Sequence, residues 1–341
     1  MKKLFLSAAF LAASLASQAQ QAPLWMRYPA ISPDGKTIVF SYKGDIYSVP
    51  ATGGEARQLT TNAAHDSYPI WSPDGKKIAF ASNREGSFDV YVMSAHGGAP
   101  TRITTNSERE IPVAFKDNDH VLFSANIMPT AESNLFASRE FSQVYEVSTQ
   151  GGRPKLYSVI PMEDISINAK GQVLYHDSKG YEDPGRKHHT SPITRDIWML
   201  DNRKYQKITA FKGEDRTPVW AADGESFYYL SEQAGSFNIY HRNIATGKDV
   251  QLTHEKKNPI RFLTSSADGL LCYGYDGEIY TVKEGAQPQK VNISITADND
   301  EPSLVRQVRS WGATEIALSP DAKEVAFVMH GDVYVTSTEY K

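Results

Sequence analysis

One cysteine, Cys272, stands in 341 residues, so no disulfide within this chain can hold it together. Its setting, Leu270-Leu271-Cys272-Tyr273, suits a buried, inert thiol better than a nucleophile. Basic charge is not in excess: 36 Lys and Arg face 40 Asp and Glu, a formal net charge of −4 and a pI near 6.2. Nucleic acid is therefore not an expected partner. No 15-residue stretch beyond the first twenty residues shows a clear helical period, which excludes a helical solenoid. With 22% charged and 40% hydrophobic residues and a mean hydropathy of −0.45, the composition is that of an ordinary globular protein. It excludes a disordered tail, a collagen-like fibre and a disulfide-stapled miniprotein. Length alone suggests two domains, although a single all-β domain reaches this size. Eighteen Tyr and 14 Phe point to a core of aromatic and β-branched strands.

The first residues read as a targeting segment. Lys2-Lys3 precedes an apolar run of 13 residues from Leu4 to Ala16, and Ser17-Gln18-Ala19 then offers small residues two apart. This is the layout of a signal peptide over residues 1–19, cleaved after Ala19. A bilayer needs about 20 apolar residues, so no membrane span is expected after cleavage. Loss of Lys2 and Lys3 takes the net charge to −6, and the protein is expected to be exported, periplasmic or secreted.

The remainder repeats itself through markers in fixed order. A Pro-Asp-Gly type turn recurs at Ser32-Pro33-Asp34-Gly35, Ser72-Pro73-Asp74-Gly75, Ala222-Asp223-Gly224, Ala267-Asp268-Gly269 and Ser319-Pro320-Asp321-Ala322. An apolar triplet follows, ending in Phe40, Phe80, Phe123, Tyr175, Tyr229, Tyr273 and Phe327. A polar-aliphatic-aromatic step comes third: Asp45-Ile46-Tyr47, Asp89-Val90-Tyr91, Gln143-Val144-Tyr145, Asp196-Ile197-Trp198, Asn238-Ile239-Tyr240, Glu278-Ile279-Tyr280 and Asp332-Val333-Tyr334. In several copies a glycine turn then precedes Leu59-Thr60, Ile103-Thr104, Ile208-Thr209 or Leu252-Thr253. The third-marker aromatics lie 40 to 54 residues apart. That period, with about four short strands per unit, is the signature of an all-β fold, a β-propeller. Strands held between two neighbouring blades bury both faces, so they read as continuous apolar runs.

Six repeats are complete, which gives a six-bladed β-propeller of four-stranded blades over residues 20–293. A polar connector covers 294–310, and a seventh repeat, 311–341, is an incomplete blade that starts a second propeller. In the alternative arrangement all seven repeats close one ring with a strand borrowed from the N-terminus. The unpaired edge left by the missing fourth strand and the length of the connector favour the first arrangement.

No catalytic constellation is present. There is no Gly-x-Ser-x-Gly elbow, His-Glu-x-x-His, P-loop or dinucleotide fingerprint. Adjacent His188 and His189 lack the further ligands a metal requires, and Asp117-Asn118-Asp119-His120 lacks the glycine and terminal glutamate of a calcium loop. No cofactor or metal is expected, and this chain alone is not expected to be an enzyme. A propeller glycosidase would need paired carboxylates at the central channel, and the recurring acids sit at turns and at strand three instead. Asp45, Asp89, Asp196 and Asp332 read as turn and strand-edge hydrogen bonders, and the aromatics beside them as core between blades.

One asymmetry marks a surface. From second-marker to third-marker aromatic the gap is 22 and 23 residues in repeats three and four, against 7 to 11 elsewhere. The loops this implies, about residues 124–142 and 176–195, would stand side by side as a lip on one face, and loop insertions are where specificity usually sits. They carry Arg139, Arg186, Lys187, His188, His189 and Arg195, a basic patch able to take a peptide carboxylate or an acidic protein surface.

The blades that begin Ser-Pro-Asp-Gly and end Gly-Gly-x-x-x-x-Leu/Ile-Thr resemble those of TolB-type proteins and tricorn-type proteases. Lys187-His188-His189-Thr190-Ser191-Pro192-Ile193-Thr194-Arg195-Asp196-Ile197-Trp198 is similar to a blade of the N-terminal propeller of tricorn-like serine peptidases. Trp311-Gly312-Ala313-Thr314-Glu315 through Asp332-Val333-Tyr334 is similar to the first blade of their second propeller. The resemblance implies the non-catalytic front end of an exported peptidase, with hydrolysis in C-terminal domains that this chain lacks. It implies peptide or protein ligands, those further domains and copies of the same chain as partners. The alternative is a stand-alone TolB-like propeller that binds an envelope protein.

Overall fold

The computed structural model describes residues 23–126, 142–178, 193–296, 311–329 and 332–339. Every element among them is a strand or a turn. The first sheet holds β1 (Arg27–Ile31), β2 (Thr37–Tyr42), β3 (Asp45–Pro50) and β4 (Gly54–Gln58). The second holds β5 (Asp66–Trp71), β6 (Lys77–Ser82), β7 (Asp89–Ser94) and β8 (Thr101–Arg102). In the third are β9 (Glu110–Phe115), β10 (His120–Ala125), β11 (Gln143–Ser148) and β12 (Lys155–Ser158). The fourth has β13 (Met162–Ile167), β14 (Val173–Asp177), β15 (Ile197–Asp201) and β16 (Lys204–Lys207). The fifth has β17 (Asp215–Trp220), β18 (Ser226–Ser231), β19 (Asn238–Asn243) and β20 (Asp249–Gln251). The sixth has β21 (Arg261–Ser265), β22 (Leu271–Tyr275), β23 (Glu278–Val282) and β24 (Gln289–Lys290). Each is an antiparallel meander in sequence order, as one repeat per sheet requires.

The markers act locally. In the first turn Ser32 Oγ donates to Asp34 at 2.6 Å, and Asp34 accepts the Lys36 N–H at 3.1 Å. Gly35 then takes φ 71°, which costs glycine nothing. Second- and third-marker aromatics prove to be cross-strand partners. Phe40 faces Tyr47 in register with ring centroids 5.8 Å apart, and Phe80–Tyr91, Phe123–Tyr145 and Tyr273–Tyr280 repeat the stack at 5.7 to 5.9 Å. The second strands are buried on both faces: Phe40, Phe80, Phe123 and Phe227 are wholly enclosed.

Packing places the core between sheets, in six wedges. Leu59 with Ile78 and Phe80 joins the first sheet to the second. Val92 with Val121 and Phe123 joins the second to the third, and Leu122 with Val173 and Tyr175 the third to the fourth. Ile197 with Phe227 and Tyr229 links the fourth to the fifth, and Leu230 with Leu271 and Tyr273 the fifth to the sixth. Cys272 and Ile279 of the sixth sheet pack with Ile38 and Phe40 of the first. Cys272 is fully buried, and burial pushes its thiol well above the usual range, as an inert core thiol requires.

A further strand, β25 (Ile293–Ile295), lies parallel to β4 and extends the first sheet to five strands. The chain reaches it through Val291, which donates to Ile279 O as Leu59 does to Ile46 O. Val291-Asn292 is thus the sixth repeat's copy of the fourth marker, with Asn where the four other copies have Thr. Gly54 N–H donates to Asn292 O at 2.9 Å, and a Cβ on Gly53 would come within 2.6 Å of that oxygen.

The chain divides after Thr296. In the second unit β26 (Ala313–Leu318), β27 (Glu324–Met329) and β28 (Asp332–Ser337) form a three-stranded sheet. Its turn keeps the Ser319–Asp321 bond at 2.6 Å, and Ala322, in the glycine position, is held at φ 56°.

Candidate functional site

All six first strands are broken at the same point. Register shifts separate Arg27 from Ala30, Ser67 from Ile70, Glu163 from Ser166, Arg216 from Val219 and Arg261 from Thr264, and β9 shifts between Pro112 and Ala114. Pro29, Pro69 and Pro218 follow three of the bulged residues and supply no N–H to the ladder. At five of the bulges a non-glycine residue sits in the left-handed region: Tyr28 (φ 52°), Tyr68 (56°), Asp164 (49°), Thr217 (53°) and Phe262 (60°). In the third sheet Pro112 occupies the position, and its ring forbids that conformation. Such backbone costs an L-residue about 1–2 kcal/mol.

The first strands pack side by side, β1 on β5, β5 on β9, β9 on β13, β13 on β17, β17 on β21, and β21 on β1. The bulged side chains of successive sheets therefore meet. Tyr28 lies 4.0 Å from Tyr68 ring to ring, and 4.7 Å from Phe262 edge to face. Tyr28 Oη donates to Tyr68 Oη at 3.0 Å. Arg109, exposed at the start of the third sheet, donates to the same Tyr68 oxygen at 3.0 Å and lies 5.6 Å above the rings of Tyr68 and Phe88. This is a half-buried aromatic arc with a cation on its shoulder.

The fourth and fifth sheets contribute a polar arc instead. Thr217 Oγ1 donates to the exposed Asp164 at 2.6 Å. Behind them His176 is buried: the Thr217 N–H donates to its Nδ1 at 3.2 Å, so the proton sits on Nε2, which reaches Glu163 at 3.1 Å. Burial works to raise the Glu163 carboxyl, but the His176 hydrogen bond and the Arg195 charge outweigh it and bring it down to about 2. Arg195 contacts Glu163 at 3.5 Å and Glu214 at 3.3 Å, and Glu214 also meets Arg216 at 3.5 Å. Burial, followed by the neighbouring Arg261 and Arg195 charges, lowers the Arg216 guanidinium to about 10 despite Glu214.

Of the loop residues singled out in the sequence, Arg139, Arg186, Lys187, His188 and His189 lie outside the described residues. Arg195 is described, and it is 8% exposed in the polar network behind Asp164. The third-marker acids hold strand edges: Asp45 accepts from Thr60 at 2.9 Å, Asp89 meets Arg102 at 2.9 Å and Asp196 meets Lys207 at 2.9 Å. No group of three or more His, Cys, Asp and Glu placed to hold a metal occurs among the described residues, nor any helix long and apolar enough to cross a membrane. The bulged residues share no sequence motif, because what they have in common is a backbone angle. Only the proline after Tyr28, Tyr68 and Thr217 hints at it.

The sequence profile described as the tricorn protease N-terminal beta propeller domain matches residues 23–288. The crystal structure of the tricorn protease superposes with a TM-score of 0.68 at 21% identity, over 92% of this chain and 30% of that one. This chain thus spans less than a third of that protease. TolB from Acinetobacter baumannii gives 0.49 at 13% identity over 91% and 76% of the two chains. The propeller domain of the Trilobed protease from Pyrococcus furiosus gives 0.48 at 13% identity over 82% and 86%. No curated protein matches the chain.

Proposed function

The chain belongs to the tricorn protease N-terminal β-propeller family, and from that membership we propose that it guides or filters peptides for an exported serine peptidase. Its first unit would act as a closed six-bladed propeller, and hydrolysis would fall to a C-terminal catalytic domain outside these residues. Closure is supported by β21 packing on β1 and by the apolar wedge between the sixth and first sheets. Export rests on the signal-peptide layout of residues 1–19.

The observation that carries the reading is the axial constellation. Strained backbone spent on presenting side chains, at equivalent points of five first strands, is the mark of a working surface. Tyr28, Tyr68 and Phe262 offer rings to apolar side chains, while Asp164 and Thr217 offer hydrogen-bonding groups to a peptide backbone.

The test is the protein as its own cells make it. Material purified from the native source is sized and incubated with a fluorogenic peptide, with and without a serine-directed inhibitor. A product about three times this length, with inhibitor-sensitive cleavage, supports the proposal. A product ending near Lys341 that cleaves nothing overturns it.

A further inference from the structure

Five junctions between sheets are tied by one backbone bond, the one from the sixth sheet to the first being Met26 N–H to Gly277 O at 3.1 Å. The residue at or just before the start of a first strand donates its N–H to the carbonyl just before the third-marker residue of the preceding sheet: Asp66 to Gly44 at 2.7 Å, Glu110 to Phe88 at 2.7 Å, Asp215 to Arg195 at 3.0 Å and Ile260 to Phe237 at 3.0 Å. The bond sets the two residues together, as Asp45 with Asp66, Asp89 with Glu110, Asp196 with Asp215, and Asn238 with Ile260. At the fifth junction Met26 stands with Glu278, so three of the five hold two carboxyl groups.

The pair between the second and third sheets is the most enclosed. Asp89 and Glu110 are both 0% exposed, and Asp89 Oδ1 and Glu110 Oε1 are buried without a hydrogen-bond partner. Two carboxylates cannot both stay ionised there, whereas one proton between them satisfies both oxygens.

The surrounding charges do not relieve the pair. From β8, Arg102 meets Asp89 at 2.9 Å, one cation for two acids. Glu85, in the turn before β7, adds a further acid to the field at Asp89. Arg84, after β6, is held by Asp66 at 2.6 Å. The Asn106 N–H donates to Glu110 Oε2 at 3.2 Å, and β10 sets Ala125 opposite Glu110. Burial first, with the Asp89 charge adding to it, pushes the Glu110 carboxyl up to about 7.

We propose that Asp89 and Glu110 form a proton-operated joint: a proton shared between the two carboxyls keeps the second and third sheets shut, and its loss to solvent opens the seam and draws Arg109 off the axial rings. Arg109 immediately precedes Glu110, and Phe88, one of the two rings beneath it, immediately precedes Asp89. Movement at the pair is therefore transmitted directly to the Arg109–Tyr68 hydrogen bond. The proposal stands on the junction geometry and does not depend on what passes along the axis.

The direction follows from linkage. Glu110 holds its proton more tightly in the closed seam than in an open one, where an ordinary carboxyl titrates near 4.5. The seam is most closed below that value, weakens as pH rises towards about 7, and changes little beyond.

Hydrogen exchange followed by mass spectrometry between pH 5 and 8, with rates corrected for intrinsic exchange, tests this. Protection over residues 106–115 should fall roughly tenfold to a hundredfold across the range. Glu110→Gln should flatten the profile while protection elsewhere is retained, and Asp89→Asn should do the same. A flat wild-type profile, or an equal slope in Glu110→Gln, overturns the proposal. Should neither variant fold, the infrared carbonyl band of a protonated carboxyl in the wild-type protein decides. Loss of such a band between pH 6 and 8 supports the joint, and its absence at pH 6 overturns it.

Discussion

Thr253 Oγ1 donates to the Asn238 side chain at 3.0 Å while accepting the Ile239 N–H at 2.8 Å. Two markers 15 residues apart are thereby one device, a hydroxyl that fastens the end of the outer strand to the start of the third. Thr60, Thr104 and Thr209 accept the equivalent N–H of Ile46, Val90 and Ile197 at 2.9 to 3.0 Å. Thr253→Val keeps the shape and leaves the buried Ile239 N–H unsatisfied. A loss of about 2 kcal/mol is expected, measured from the denaturant midpoint.

At Gly53 the conformation and the space both demand glycine. Gly86 also has positive φ, 107°, but nothing lies within 4 Å of the Cβ it would carry. Gly86→Ala should therefore cost about 1 kcal/mol, from backbone strain alone. Gly53→Ala should cost clearly more, because its Cβ meets Asn292 O at 2.6 Å and must displace β25. Paired thermal melts separate the two terms.

The bulges reverse an ordinary rule. In a regular strand alanine outlasts glycine. At position 217, both Thr217→Ala and Thr217→Gly lose the bond to Asp164, but only glycine relaxes φ 53°. The glycine variant should be the more stable by about 0.5–1 kcal/mol. Urea unfolding of the two variants compares them directly.

Acid stability should depend on Glu163. Its carboxyl is held near 2 when folded, against 4.5 when unfolded, so its contribution is present above 4.5 and lost as pH falls towards 2. Glu163→Gln should flatten that limb of the melting-temperature profile. Glu110, raised to about 7, and Asp215, raised by burial to about 6, act oppositely and weaken the protein as pH rises from about 4 to 7. Stability is thus expected to peak near the foot of both slopes, in mildly acid solution.

Repetition made the fold legible. Phe40 and Tyr47 recur because each sheet needs a cross-strand stack, and Ser32-Pro33-Asp34-Gly35 recurs because its turn needs a cap and a positive φ. Val291-Asn292 escaped the pattern because asparagine stands where other copies have threonine, although its backbone bond is the same. The bulged residues are illegible in the sequence for a different reason. The rings of Tyr28 and Phe262 have no chemistry in common with Asp164; the three share only a place in the ladder and a sign of φ. Arg195 reads in the sequence as a loop cation and in the structure is a buried partner of Glu163 and Glu214.

The central claim is that peptides engage the axis of the first unit. Short unstructured peptides carrying a benzophenone are photolysed with the protein, and the cross-linked sites are mapped by mass spectrometry. Adducts concentrated on β1, β5, β17 and β21 around Tyr28, Tyr68, Thr217 and Phe262, and reduced in Tyr68→Ala, are the predicted result. Adducts confined to the outer strands, or unchanged by Tyr68→Ala, would contradict it.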